Sequence, residues 1–295
     1  MQLWVQTRAW IPAPAPKDSA QDEGMTVEDD DILFTAIKDS NEYVIRKSIK
    51  EKNASLGKVN KDGKTPLLVA VESDNVNIVR ILRKVVRFGL GGYIDINQGD
   101  KDGQTPLIAA IEHGNENIIR EVISVTGVSN KARGDGTTPL IAAARNGNTG
   151  TVAYLSSRRS IDVDQADKSG ESPLFIAARN GHADAVGVLI RNGAKRVNSD
   201  GETPLFAAIR AGHANVVEMV TQKIFGSNNK ARSDGKTPLD IAYQVGNAEV
   251  ADLLISKGAT VGRKRDLGPP TPVPKPRGGK KPLIEERPTW GPKSI

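Results

Sequence analysis

Asp135-Gly136-Thr137-Thr138-Pro139-Leu140-Ile141-Ala142-Ala143-Ala144-Arg145-Asn146-Gly147-Asn148 specifies a turn, a short helix and a break. Asp-Gly supplies the positive-φ corner of a tight turn. Thr138 is placed to cap a helix that opens on Pro139, where no backbone N–H is needed. Leu140 to Ala144 make an apolar helix whose small residues let neighbours approach closely. Gly147 ends it.

The same instruction recurs along the chain. Thr65-Pro66-Leu67, Thr105-Pro106-Leu107, Ser172-Pro173-Leu174, Thr203-Pro204-Leu205 and Thr237-Pro238-Leu239 join Thr138-Pro139-Leu140, with successive prolines 40, 33, 34, 31 and 34 residues apart. Five of the six follow an Asp-Gly pair, and Ser169-Gly170 keeps the glycine in the remaining one. A second helix follows each break at Gly114-Asn115, Gly147-Asn148, Gly181-His182, Gly212-His213 and Gly246-Asn247. Its apolar residues recur at helical spacing, as in Val186, Leu189 and Ile190. A unit of this size cannot bury its own faces and must stack on the next.

This pattern, with Gly193-Ala194 and Gly258-Ala259 closing two of the units, resembles the ankyrin repeat. The resemblance covers about residues 29–262 and implies an all-α ankyrin-repeat solenoid of about seven units, each a helix-turn-helix with a β-hairpin finger. Residues 29–60 are expected to form a degenerate cap, with Ile32, Leu33, Ala36, Ile37, Ile45 and Ile49 facing the stack. Repeats are expected near 61–100, 101–133, 134–167, 168–198, 199–232 and 233–262, between a disordered lead at 1–28 and a disordered proline-rich basic tail at 263–295. One departure is systematic. The histidine usual after Thr-Pro-Leu is replaced by Leu68, Ile108, Ile141, Phe175, Phe206 and Asp240, which exchanges an inter-repeat hydrogen bond for apolar packing.

The family resemblance implies a non-catalytic scaffold that holds a protein on the concave side built by the first helices and the fingers. The positions just before each break should face that side: Glu72, Glu112, Arg145, Arg179, Arg210 and Gln244. Arg145, Arg179 and Arg210 form a basic centre. Two fingers are near copies, Asn130-Lys131-Ala132-Arg133 and Asn229-Lys230-Ala231-Arg232, so Lys131, Arg133, Lys230 and Arg232 are candidates to extend it towards an acidic partner. The alternative is consensus filler copied by duplication. The long first spacing places an insertion around Phe88, Leu90 and Tyr93, read either as an apolar contact patch or as a longer second helix packing its own end.

Composition narrows the function. Among 295 residues there is no cysteine, and His113, His182 and His213 are the only histidines, so thiolate metal sites, cysteine nucleophiles and disulfides are excluded. His182 and His213 fall at the repeat's Gly-His break and are expected to be structural. No metal or cofactor is expected, and with no nucleophile elbow or His-Glu-x-x-His the chain is not expected to be an enzyme. No apolar run approaches membrane length, and no secretory signal opens the chain, so a cytoplasmic protein is expected, with the nucleus as alternative. The net charge of +6 lies entirely beyond residue 261, which leaves a neutral body and no expectation of direct nucleic-acid or membrane binding. A monomer is expected, with Met25 as a second candidate start.

The tail offers two further readings. Pro272, Pro274, Pro276 and Arg277 resemble an atypical Pro-x-x-x-Pro-Arg ligand of SH3 domains, held in extended polyproline conformation. Lys264-Arg265 and Arg277-Gly278-Gly279-Lys280-Lys281 instead fit a loose bipartite nuclear-import pattern.

Overall fold

The computed structural model of the chain describes residues 29–51, 56–88, 95–124, 130–194, 202–223 and 229–262. Through them run seven inner helices, α1 (Asp29–Lys38), α3 (Pro66–Glu72), α5 (Pro106–His113), α7 (Pro139–Asn146), α9 (Pro173–Arg179), α11 (Pro204–Ala211) and α13 (Pro238–Gln244). Each is followed by an outer helix: α2 (Glu42–Lys50), α4 (Val76–Phe88), α6 (Glu116–Ile123), α8 (Thr149–Ser156), α10 (Ala183–Arg191), α12 (Ala214–Lys223) and α14 (Ala248–Ser256). Every inner helix packs on the next inner helix, which makes a row from α1 to α13.

The Thr-Pro-Leu signal acts as its chemistry dictates. Thr65, Thr105, Thr138, Ser172 and Thr237 each accept the N–H three residues on, at 3.1 to 3.3 Å. Thr203 makes no side-chain cap bond. The residues behind the proline vanish into the core: Leu68, Ile108 and Ile141 have no exposure, and Phe175 and Phe206 only 3% and 1%. These occupy the usual histidine position, so the expected apolar seam is present. Asp240, the polar exception, completes a capping box by accepting the Thr237 N–H at 2.8 Å.

Two expectations change in detail. The fingers are tight reversals closed by pairs of bonds such as Asn60 N–H to Lys64 O at 3.0 Å and Gly63 N–H to Asn60 O at 2.9 Å. No strand occurs among the described residues, because five residues closed this tightly leave no length for a ladder. In the cap, Leu33, Ala36, Ile37 and Ile45 are buried as expected, but Ile32 is 40% exposed and Phe34 takes a core place instead. Around the insertion, α4 is the longest helix of those described, as one reading of Phe88, Leu90 and Tyr93 required. The Phe88 side chain and residues 89–94 lie outside the described residues.

Units are joined at the breaks. The last carbonyls of an inner helix have no partner within that helix. The following unit reaches back to satisfy them. Asn146 Nδ2 donates to Ile111 O at 2.9 Å and Asn180 Nδ2 to Arg145 O at 2.9 Å, while Asn215 Nδ2 donates at 3.3 Å to Gly181 O, in the break just beyond α9. His182 Nε2 lies 2.9 Å from Arg145 O and His213 Nε2 3.0 Å from Arg179 O, which requires the Nε2–H tautomer in each. Where the break carries asparagine, its Oδ1 caps the outer helix, as Asn148 does for Thr151 N at 3.0 Å. Both roles are structural, as expected of the histidines.

Gly147 shows how close the contact is. Its φ is +69°, and a Cβ there would stand 2.4 Å from His182 Nδ1. Gly114, at φ +77°, has nothing within 4 Å of the same point. Both alanine variants must adopt an unfavourable left-handed conformation, costing about 1–2 kcal/mol. Gly147→Ala must also displace the imidazole and its bond to Arg145 O. We predict that urea unfolding will place Gly147→Ala clearly below Gly114→Ala in stability, and equal losses would contradict this account of the junction.

Candidate partner-binding face

The inner-helix C-termini and the finger bases together form the face that the repeat architecture assigns to partners. A regular pairing runs along it. The residue after each finger glycine lies eight positions before a residue at the end of the inner helix, and the two meet in five of the six repeats. Lys64 Nζ donates to Glu72 at 2.7 Å, and this carboxylate holds the Lys64 ammonium above its ordinary pKa. Gln104 Nε2 donates to Glu112 at 2.7 Å, Arg179 pairs with Glu171, Arg210 Nε lies 3.0 Å from Glu202, and Lys236 Nζ donates to Gln244 at 2.8 Å.

The third unit breaks this ladder. Its partner position is Thr137, which carries no charge to offer Arg145. Arg145 is left with Asp167 of the following finger at 4.0 Å, while the other oxygen of Asp167 already accepts the N–H groups of Ser169 and Glu171. The three arginines of the expected basic centre therefore occupy equivalent places but differ in state. Arg179 and Arg210 are each held by a carboxylate at the partner position eight residues earlier, and Arg145 has only the 4.0 Å approach to Asp167. Reading each position as a column concealed this. Comparing the two columns in register, Lys/Glu, Gln/Glu, Thr/Arg, Glu/Arg, Glu/Arg and Lys/Gln, exposes it in the sequence alone.

The duplicated fingers also divide. Arg133 donates to Glu112 at 2.8 Å and Gln104 at 2.9 Å in the preceding unit, and pairs with Asp135 at 2.8 Å in its own. Arg232 reaches Glu202 of the preceding unit at 3.3 Å and lies over the Phe206 ring at 5.8 Å. Their side chains are only 22% and 18% exposed. These two arginines clasp adjacent units and do not stand free for a partner. Asn130 and Asn229 serve similarly, with Asn229 accepting Thr260 N–H at 2.7 Å. Lys131 and Lys230 are exposed and have no partner among the described residues.

On the opposite side a cleft of about 230 Å³ opens between α6 and α8, lined by Ile119, Ile123, Gly150 and Tyr154. Its charged residues, Glu116 and Arg120, pair with each other at 3.3 Å. Among the described residues no group of three or more His, Asp or Glu could hold a metal, and no helix is long and apolar enough to cross a membrane. Pro272, Pro274, Pro276, Arg277, Leu90 and Tyr93 lie outside the described residues.

The hydrogen bond from Arg133, aided by the Thr137 N–H, holds the Asp135 carboxyl well below the usual carboxylate range. Its folded pKa is lower than its unfolded one, so its contribution is complete above the unfolded value of about 4 and is lost as pH falls. Asp135→Asn should therefore be less stable than the wild type at pH 7, with the gap closing below about pH 4. Urea titrations across pH check this, and a gap independent of pH would contradict it.

The profile of ankyrin repeats in three copies matches residues 33–133, 84–167, 124–200, 147–232 and 192–265. Among solved structures, the chain is similar to the crystal structure of the ankyrin repeat domain of Bcl-3, described as a unique member of the IkappaB protein family. Sequence identity is 26% and the TM-score 0.63, over 76% of this chain and 97% of that one. No curated protein matches the chain. The overlapping matches run without a gap from residue 33 to residue 265, and the chain belongs to the ankyrin repeat family.

Proposed function

We propose that the chain is a protein-interaction adaptor whose inner face receives an acidic partner at Arg145, with Lys131 in the finger before the same helix and Lys230 three repeats further along. A single observation carries this reading: Arg145 is the one arginine of the inner row whose partner position eight residues earlier carries no carboxylate, so that it has only the 4.0 Å approach to Asp167. A partner carboxylate arriving there gains a charge-assisted, geometrically matched contact against only the long 4.0 Å pair with Asp167. At Arg179 or Arg210 the same carboxylate would have to displace Glu171 or Glu202. Stacks of this family are typically non-catalytic, and no reaction is proposed. Arg133 and Arg232 are assigned to holding units together.

The tail segment Pro272, Pro274, Pro276 and Arg277 is read as a second, independent ligand for an SH3-domain protein. The spacing of Lys264-Arg265 from Arg277-Gly278-Gly279-Lys280-Lys281 favours one further reading, a nuclear regulatory subunit carried in by that tail. Fluorescent tagging separates the two: nuclear accumulation lost on Lys264→Ala with Arg265→Ala supports import, and unchanged distribution excludes it.

The primary test is quantitative affinity capture with the full chain and its Arg145→Glu, Arg179→Glu and Arg277→Ala variants as baits. Partners of the inner face should fall about tenfold on Arg145→Glu, equivalent to 1.4 kcal/mol of binding, and much less on Arg179→Glu. SH3-domain proteins should be lost only with Arg277→Ala. Retention of every partner by Arg145→Glu, with the variant folded, would overturn the assignment.

A further inference from the structure

Asparagine is joined to glycine at three places in the chain: Asn146-Gly147, Asn180-Gly181 and Asn192-Gly193. This is the asparagine linkage most prone to deamidation, because glycine leaves the next amide nitrogen unhindered. That nitrogen attacks the side-chain Cγ, and the new C–N bond closes a five-membered imide. The Cγ–Nδ2 bond breaks, and ammonia leaves with the proton that the glycine N–H gives up. Water then opens the imide at either carbonyl, leaving aspartate or isoaspartate and one more negative charge.

In the fold all three side-chain amides are engaged, and each reaches back to the preceding unit. Asn146 Nδ2 donates to Ile111 O and Asn180 Nδ2 to Arg145 O, both at 2.9 Å, and Asn192 Nδ2 donates to Ser156 Oγ at 2.6 Å. The attacking nitrogens are held as well. Gly147 N–H donates to Ala144 O at 3.4 Å, Gly181 N–H to Ala178 O at 3.3 Å, and Gly193 N–H to Ile190 O at 3.1 Å. Ring closure therefore waits until a junction opens locally. The three sites occupy only two junctions, those on either side of the unit built from α7 and α8. In the other repeats the residue at the position of Asn146 and Asn180 is Ser73, His113, Ala211 or Val245, none of which can follow this route.

We propose that Asn146, Asn180 and Asn192 are spontaneous deamidation sites, reached by opening of the junctions that flank the α7–α8 unit, and that conversion at 146 or 180 weakens the junction it occurs in. Ile111 O and Arg145 O can only accept, so a carboxylate in place of the amide meets them with repulsion. Both carbonyls keep a second donor, Gly114 N–H at 3.1 Å and His182 Nε2 at 2.9 Å, so each junction loses one tie and not its whole polar contact. Asn192 differs, because the Ser156 hydroxyl can turn from Val152 O, at 2.6 Å, and donate to a carboxylate. All three new charges stand at helix C-termini, where the helix dipole disfavours them. Isoaspartate at 146 also adds a backbone methylene just before Gly147, whose Cβ point is already 2.4 Å from His182 Nδ1. Ageing of the chain then loosens the stack at its centre and leaves both ends unchanged. The inference does not depend on the partner proposed for Arg145.

Ageing the purified full chain at mildly alkaline pH, followed by peptide mapping with mass spectrometry and isoaspartate detection, tests this. Conversion at 146, 180 and 192 should be measurable in the native chain, yet at least about tenfold slower than in the same chain unfolded in urea. Asn146→Asp and Asn180→Asp should each unfold at a lower urea concentration than the parent, and Asn192→Asp close to the parental midpoint. Conversion of the native chain at the unfolded rate would overturn the gating by junctions. Absence of conversion in the native chain would overturn the sites themselves, and parental stability of both Asn146→Asp and Asn180→Asp would overturn the consequence.

Discussion

The structure depends on a constraint that no unit can meet alone. The final carbonyls of an inner helix, as of any α-helix, have no partner within it, and at α5, α7 and α9 the side chains that reach them belong to the next unit. Asn146, Asn180, His182 and His213 all point backwards along the stack in this role. Hydrogen bonding and burial thus share one direction, since the surface left polar by one unit is made satisfied and dry by its successor. Stability of such a chain is a property of junctions more than of units. Glycine at 147 and 181 follows from this, because an imidazole of the next unit occupies the space where a Cβ would be.

The same logic accounts for the charges. The body of the chain carries equal numbers of acidic and basic residues, and the structure spends them in defined pairs. Finger bases pair with inner-helix ends in Lys64–Glu72, Glu171–Arg179 and Glu202–Arg210, and fingers pair backwards through Arg133 and Arg232. Partly exposed pairs of this kind contribute modestly to stability. Their larger effect is on recognition, because a side chain already holding a carboxylate offers little to another. In the proposed reading, selectivity arises where this internal pairing is missing, as Thr137 leaves it missing at Arg145.

Much of the fold was legible because its signals are local and repeated. Thr138, Pro139 and Gly147 each have one strong backbone preference, and six copies in register leave little freedom. The buried seam at Leu68, Ile108, Ile141, Phe175 and Phe206 was equally readable, since an apolar residue one position after Thr-Pro-Leu has nowhere else to go. Arg133 and Arg232 are engaged internally for a physical reason. They stand where other fingers carry Asn60, Asp100 and Asp167, whose side chains accept their own turn's N–H groups. An arginine cannot accept, so Asp135 and Asp234 take over that bond and the guanidinium is released to reach the preceding unit. That exchange is a relation between two positions, and a motif quoted residue by residue does not display it.

The central claim is that Arg145 differs in state from Arg179 and Arg210 despite equivalent places in the repeat. Rotation of the guanidinium groups, measured by side-chain arginine NMR on the full chain, reports this directly. The account predicts fast rotation at Arg145 and restricted rotation at Arg179 and Arg210, where Glu171 and Glu202 hold them. Three indistinguishable rates would contradict it.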